Sequence, residues 1–235
     1  MPQPQRDRPA AAAFGVGSHA PYDRALRDPQ RSLFLVEKPG DGPSARSAKR
    51  TRLDVQRFLA IADKADEELV RLVSGPVLDV GCGPGRIVKA AILAGHMALG
   101  IDISPTAVEI AHERGLPVLR RSVFHDVPSQ GTWATAMLID GNIGIGGDPG
   151  ALLRRCAQLV TIDGSGRIVV ETHDDPTTDR SFEGLLVDDL ARWSLPFPWA
   201  EVGIVALARY AEQAGLVMTR QWMVRGRSFV EYALA

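Results

Sequence analysis

Cysteine is scarce in this chain. Its 235 residues include two, Cys82 and Cys156, far apart and with no CxxC pair or Cys/His grouping. That excludes a disulfide framework and a structural zinc, and it points to a reduced, cytoplasmic protein. Long apolar runs are missing too, since none approaches the ~20 residues that a spanning helix needs. The apolar stretch Ala10 to Phe14 is too short for a signal-peptide core, and Pro2, Pro4 and Pro9 surround it. Excess charge of one sign is absent. A formal net charge of -1 gives no global electrostatic reason to expect nucleic acid. The expected partner is a small-molecule substrate, with neither nucleic acid nor membrane, and a homodimer stays open. Apolar residues make up 45% of the chain, enough for a core. The length suits one α/β domain with some decoration.

Residues 1–50 are rich in Pro, Gly, Ser and Arg and show poor apolar periodicity. They read as a mostly disordered tail with one ordered patch at Leu33 to Val36. Lys38, Arg46, Lys49, Arg50 and Arg52 face a single acid, Asp41, in the segment 38–52. A solvated basic linker is the plain reading, and an anionic-substrate site is the other. The folded domain is expected over residues 51–235. Asp54 is a plausible N-cap for a helix whose apolar face carries Val55, Phe58, Leu59, Ala62, Ala65, Leu69 and Leu72. Gly75-Pro76 stops that helix.

Strand and helix signals then alternate. Strands are expected at 76–80, 97–101, 117–120, 134–139 and 166–171. Ser104-Pro105 and Asp148-Pro149 open helices, each with an N-cap residue followed by proline at the first helical position. Such a rhythm implies a parallel sheet covered by helices on both faces. The end differs, because Val217 to Val224 and Phe229 to Leu234 flank a short turn and read as an antiparallel hairpin.

The densest signal is Val77-Leu78-Asp79-Val80-Gly81-Cys82-Gly83-Pro84-Gly85-Arg86. Alternating glycines permit a tight strand-to-helix turn and let a ligand approach the backbone. A helix beginning near Gly85 offers free N–H groups. The spacing is G-x-G-x-G rather than the dinucleotide G-x-G-x-x-G. Asp79 would repel a pyrophosphate and suits a ligand that carries an ammonium. Asp102 ends the second strand about twenty residues after the first glycine, where an acid can accept both ribose hydroxyls. Ile103 beside it can cover a flat adenine ring.

The segment Val77 to Arg86 resembles the first motif of class I S-adenosylmethionine-dependent methyltransferases, and Gly100 to Ser104 resembles their second. The resemblance spans roughly residues 76–172, with the hairpin also matching. It implies a Rossmann-like three-layer α/β sandwich whose seven-stranded sheet is mostly parallel with an antiparallel last strand. It implies S-adenosyl-L-methionine as cofactor. Asp79, Gly81, Cys82, Gly83 and Gly85 would surround its methionine part, Asp102 its ribose and Ile103 its adenine. After the third strand the family commonly has an Asp for the adenine amino group. Here Ser122 stands in that place, with Val123 offering a backbone N–H and Asp126 nearby.

Residues that see the methyl group should follow the fourth and fifth strands. Asp140 and Asn142 lie in the glycine-rich loop 139–148, and His173 opens Thr172-His173-Asp174-Asp175-Pro176. His173 is the general-base candidate and Asp140 and Asn142 are polar groups at the reacting end, with turn formation as the alternative for each. Asp140 also belongs to the expected cofactor set. No metal is expected, although Asp140, Asp174 and Asp175 loosely imitate a magnesium site. Residues 173–200 read as a substrate-side insertion, with Trp193, Phe197 and Trp199 as pocket walls. The loop 139–148 lacks the Asn/Asp-Pro-Pro-Tyr motif of amino-group methyltransferases acting on DNA bases or glutamine. Methylation of a small molecule at O, N or C is the expectation. A nucleic-acid methyltransferase, an NAD-type oxidoreductase and a non-catalytic cofactor-binding protein are the competing readings.

Overall fold

The computed structural model describes residues 21–38 and 49–235. The parallel core forms where the apolar runs predict it. Strands β3 (Val77–Val80), β4 (Ala98–Asp102), β5 (Val118–Arg120), β6 (Thr135–Leu138) and β7 (Arg167–Glu171) pair in parallel, and the hairpin β10 (Leu216–Val224) and β11 (Arg227–Leu234) completes the sheet. The seven strands run in the order β10-β11-β7-β6-β3-β4-β5. β11 lies antiparallel to both its neighbours and is the last strand in the chain.

Successive strand residues point to opposite faces, which builds two core layers. Leu78, Val80, Ala136, Leu138, Ile168 and Val170 pack with helices α6 (Pro149–Leu159) and α7 (Ile204–Gln213). Val77, Met137, Ile139 and Val169 pack with α3 (Lys64–Leu72) and α4 (Arg86–Leu93). Helix α5 (Pro105–Glu113) and α4 close a smaller cluster around Val88, Val108 and Val118. The expected caps form: Ser104 accepts from the Ala107 N–H at 3.1 Å and Asp148 from the Ala151 N–H at 2.8 Å.

The helix expected from Asp54 is two helices. Asp54 caps α2 (Val55–Leu59), and Asp63 opens α3 with a reciprocal capping box to Asp66. The competing cap stops the first helix, because two carboxyl–backbone bonds satisfy the N–H groups of a new start.

The ordered patch expected at Leu33 to Val36 is part of a longer ordered stretch, residues 21–38. They form helix α1 (Pro21–Arg27) and strand β1 (Leu33–Glu37), which bury Tyr22, Ala25, Leu26, Leu33 and Leu35. Residues 1–20 and 39–48 lie outside the described residues. The expected insertion is strands as well. β8 (Asp179–Asp188) and β9 (Phe197–Val202) join β1 and β2 (Arg50–Leu53) in a four-stranded antiparallel sheet of order β2-β1-β8-β9. Leu33 pairs with Asp188 and Leu35 with Leu186, so the segment near residue 35 supplies the strand that the insertion needs. The basic segment is partly accounted for by this sheet: Lys38 pairs with Glu183 and Lys49 with Glu201, both at 2.7 Å. Arg46 and Asp41 lie outside the described residues. Among the described residues no helix is long and apolar enough to cross a membrane.

The second sheet is seated on the loop after β6. That loop winds into a 3₁₀ turn, Asn142–Gly147. A Cβ on Gly144 would stand 2.3 Å from the Ala200 carbonyl oxygen and 2.7 Å from the Trp199 ring. Gly144→Ala is therefore expected to destabilise the fold by about 1–3 kcal/mol through overpacking. Thermal unfolding should show a drop of about 3–10 °C, and an unchanged midpoint would mean that β9 is not seated there.

Candidate functional site

The glycine loop crosses the carboxyl ends of β3 and β4, where open α/β sheets bind their ligands. Gly81, Gly83 and Gly85 all have positive φ, at 73°, 53° and 84°. Side chains rarely adopt that region, so the sequence meets the turn with glycine. The Gly81 and Cys82 N–H groups both donate to the Ile101 carbonyl, at 2.8 and 3.1 Å. Cys82 as a residue is partly exposed, but its thiol lies inward, 2.5 Å from where a Gly100 Cβ would be, and burial pushes that thiol well above the ordinary range.

Asp102 ties the loop to the second strand. Its Oδ2 accepts from the Gly83 N–H and its Oδ1 from the Ser104 N–H, both at 2.8 Å. Burial raises its pKa, opposed by these backbone bonds. Ile103 beside it is half-buried. Ser122 accepts from the Phe124 N–H at 3.3 Å, and Val123 is buried with its carbonyl on Arg155 Nε at 2.7 Å. Asp126 is exposed.

Asp79 is the anomaly. It is 2% exposed, and its Oδ2 has no hydrogen-bond partner. Burial pushes its pKa up to about 8, with the Arg86 guanidinium opposing and Asp140, Asp102 and Asp66 adding to the rise. An unpaired buried carboxyl is costly. It fits a site that a cationic ligand completes.

The loops after β6 and β7 are more heavily tied than the sequence suggested. Asp140 sits at φ 55°, and its N–H donates to Glu171 Oε2 at 2.7 Å. Its carboxylate meets Arg86, Arg57 Nε at 3.5 Å and Arg227 at 3.4 Å. Arg227 also holds both oxygens of Glu171 at 2.7 Å. Asn142 turns its amide inward and donates to the carbonyls of Val80 at 2.8 Å and Gly81 at 3.0 Å. It braces the glycine loop.

His173 Nδ1 accepts from the Asp175 N–H at 3.0 Å, with Thr178 Oγ1 at 3.2 Å. Asp175 is held by Thr177. Among the described residues no group of three or more His, Cys, Asp and Glu side chains is placed to share a metal ion.

The three expected pocket aromatics separate. Phe197 is 1% exposed and meets Trp199 edge-on, with centroids 6.0 Å apart. Trp199 is half-buried against Gly144 and Gly147. Trp193 pairs with Val187, on the sheet face opposite Leu186 and the Phe197 cluster, and is 52% exposed. The register therefore takes it away from the other two.

Two groups of residues escaped the sequence reading. Helix α1 lies over the loop: the Tyr22 hydroxyl stands 3.3 Å from where a Gly83 Cβ would be, and Asp23 accepts from Ser104 Oγ at 2.9 Å. No pattern in the first fifty residues announced this. Asp66, Arg86, Arg227 and Glu171 form the second group, and Arg86 directly after the glycine run was its one local sign.

Residues 77–164 match a family model described as a methyltransferase domain. Among solved structures, a methyltransferase from Bacteroides fragilis in complex with S-adenosyl-L-homocysteine is similar at 21% identity and TM-score 0.70, covering 95% of this chain and 96% of that one. A sugar N-methyltransferase from a Streptoalloteichus species is similar at 15% identity and TM-score 0.54, covering 73% and 87%. The 1,6-didemethyltoxoflavin-N1-methyltransferase of Burkholderia thailandensis is similar at 17% identity and TM-score 0.52, covering 73% and 77%. At these identities the likeness establishes the fold.

Proposed function

We infer the activity from the premise that the chain belongs to the class I S-adenosylmethionine-dependent methyltransferases, whose domain residues 77–164 match. The reading is methyl transfer from S-adenosyl-L-methionine to a nitrogen atom of a small molecule. One observation carries the cofactor: a buried, unpaired Asp79 beside a positive-φ glycine loop stapled to Asp102. An ammonium group matches Asp79, a ribose matches Asp102, and Gly83 leaves the loop open where a side chain would press on Tyr22. Ile103, Ser122 and Val123 would line the adenine.

When bound, the sulfonium supplies an electrophilic methyl group. This chain's own part is then to orient an acceptor and exclude water. Asp140 and Glu171 are held by arginines, and His173 turns Nδ1 to its own loop. These groups stabilise the site rather than take a proton. An acceptor with a ready lone pair, such as a neutral amine or ring nitrogen, suits that end. Two of the similar structures are of enzymes named for nitrogen methylation, of a sugar and of a toxoflavin precursor. Phe182 and Trp199, paired across β8 and β9, are the aromatic residues offered to the acceptor.

Calorimetry tests the cofactor directly. S-adenosylmethionine should bind with micromolar affinity and NAD should not. Preference for NAD, or no binding of S-adenosylmethionine, would sink the reading.

A further inference from the structure

Helix α1 is fastened to both sheets. Asp23 accepts from Ser104 Oγ at 2.9 Å, just past the end of β4. Arg24 donates Nε and Nη2 to Asp188 Oδ2, at 3.1 and 2.9 Å. Asp188 is 2% exposed on β8, and its other oxygen takes the Leu190 and Arg192 N–H groups at 3.0 and 2.9 Å. Between these clasps Ala25 and Leu26 pack with Ala107 and Leu186. The place of α1 over the glycine loop is therefore set by contacts on both of its sides.

Tyr22 divides into two parts. Its ring belongs to the same apolar cluster, and the residue is 6% exposed. Its hydroxyl extends to the loop and stands 3.3 Å from where a Gly83 Cβ would be. A phenol oxygen donates one hydrogen bond and accepts two, so it can serve a ligand and keep a protein partner as well. Burial raises its pKa well above the ordinary range, with Asp102, Cys82, Asp23 and Asp140 adding to the rise, so the hydroxyl keeps its proton.

The loop beneath it has no donor left. The Gly81 and Cys82 N–H groups are taken by the Ile101 carbonyl, that of Gly83 by Asp102, and that of Gly85 by the Cys82 carbonyl at 3.0 Å. Pro84 has no N–H. Arg86, directly after the loop, gives one guanidinium nitrogen to Asp66 and the other to Asp140. The cofactor's amino-acid end carries an ammonium and a carboxylate. Asp79 and Asp102 offer acceptors for the ammonium and the ribose, and both acids repel the carboxylate. A neutral donor over the loop is the complement that this end needs.

We propose that Tyr22 is a cofactor-binding residue: its hydroxyl, held over Gly83 by the two clasps of α1, donates to the carboxylate of the cofactor's amino-acid end. The proposal rests on the S-adenosylmethionine reading given above. It adds to the site a residue some sixty positions before the glycine loop, and it gives the ring a packing role and the hydroxyl a binding one.

The test is a cycle of calorimetric titrations. Two probes, S-adenosylhomocysteine and its decarboxylated form, are bound to the wild-type chain and to Tyr22→Phe. The second probe keeps the ammonium, the thioether and the nucleoside and lacks only the carboxylate. Phenylalanine keeps the ring in its cluster, and a melting curve of each chain checks the fold. Tyr22→Phe should bind S-adenosylhomocysteine about 10–100-fold more weakly, as for a lost hydrogen bond to a charged group. Its affinity for the decarboxylated probe should stay within about twofold of wild type, so the loss depends on the carboxylate. The wild-type chain alone gives a second readout, because it should prefer the intact probe by at least about tenfold. Equal weakening on both probes would make Tyr22 a structural prop of the loop and overturn the proposal. So would unchanged affinity for S-adenosylhomocysteine, or a wild-type chain that binds both probes alike. A wild-type chain that binds neither would instead overturn the cofactor reading.

Discussion

Asp79→Asn should make the protein more stable and a poorer binder of S-adenosylmethionine. In the folded chain the Asp79 carboxyl titrates near 8, against 3.8 for an ordinary aspartate, chiefly because it is buried. A folded pKa above the unfolded one means that the folded state keeps a proton that the unfolded state gives up. The contribution is fully present below pH ~4, declines as pH rises, and is lost above pH ~8. At pH 7 the loss is of the order of 2–4 kcal/mol. Asparagine has nearly the same shape and no charge to bury, so it escapes that loss. For a chain of this length the melting temperature should rise by roughly 5–10 °C at pH 7.

The gain should vanish at pH 4, where both side chains are neutral. Binding should move the other way. Losing a charge-assisted bond to the ligand ammonium weakens affinity by about 10–100-fold. Melting curves at the two pH values and one titration check both halves. Equal melting temperatures at pH 7 would show that Asp79 is solvated or paired in solution. Unchanged affinity would remove it from the cofactor site.

Asp102→Ala is the second large effect, and its direction on stability is opposite. Asp102 accepts from the Gly83 and Ser104 N–H groups. Alanine leaves both donors without their acceptor, at a cost of about 1–3 kcal/mol each where they stay buried. The glycine loop then loses its staple to β4. Two charge-assisted bonds to ribose hydroxyls are lost as well, so S-adenosylmethionine affinity should fall by more than ~100-fold. Asp102→Asn keeps one acceptor oxygen and should fall between the two. A folded Asp102→Ala that binds as tightly as the wild-type chain would place the ribose elsewhere.

The local geometry of the glycine loop was legible without coordinates. Gly81, Gly83 and Gly85 announce a turn only glycine makes easily, and Asp79 and Asp102 follow from the reach of their own strands. Caps at Ser104 and Asp148 and the hairpin at 216–234 depend on neighbours within a few residues. Short-range patterns of this kind survive in sequence because the period of a helix or strand is written into it.

The ion pairs of the loops after β6 and β7 were not legible, because their partners are remote. Asp140 read as candidate chemistry on its loop, while Glu171 was not singled out. Arg227, eighty-seven residues beyond Asp140, donates to both. His173 read as a base, and the structure adds the Asp175 N–H donated to its Nδ1. Trp193 and Phe197 are four positions apart, yet the strand register sends them to opposite faces.

By itself the sequence determined a doubly covered parallel sheet with a glycine turn after the first of its parallel strands. Only the tertiary structure decided that the chain near residue 35 pairs with residues 184–188, and that Arg86 is shared between Asp66 and Asp140. The reason is that strand edges and buried charges must find partners somewhere. Periodicity shows that a strand or a charge is present, and packing alone selects the partner.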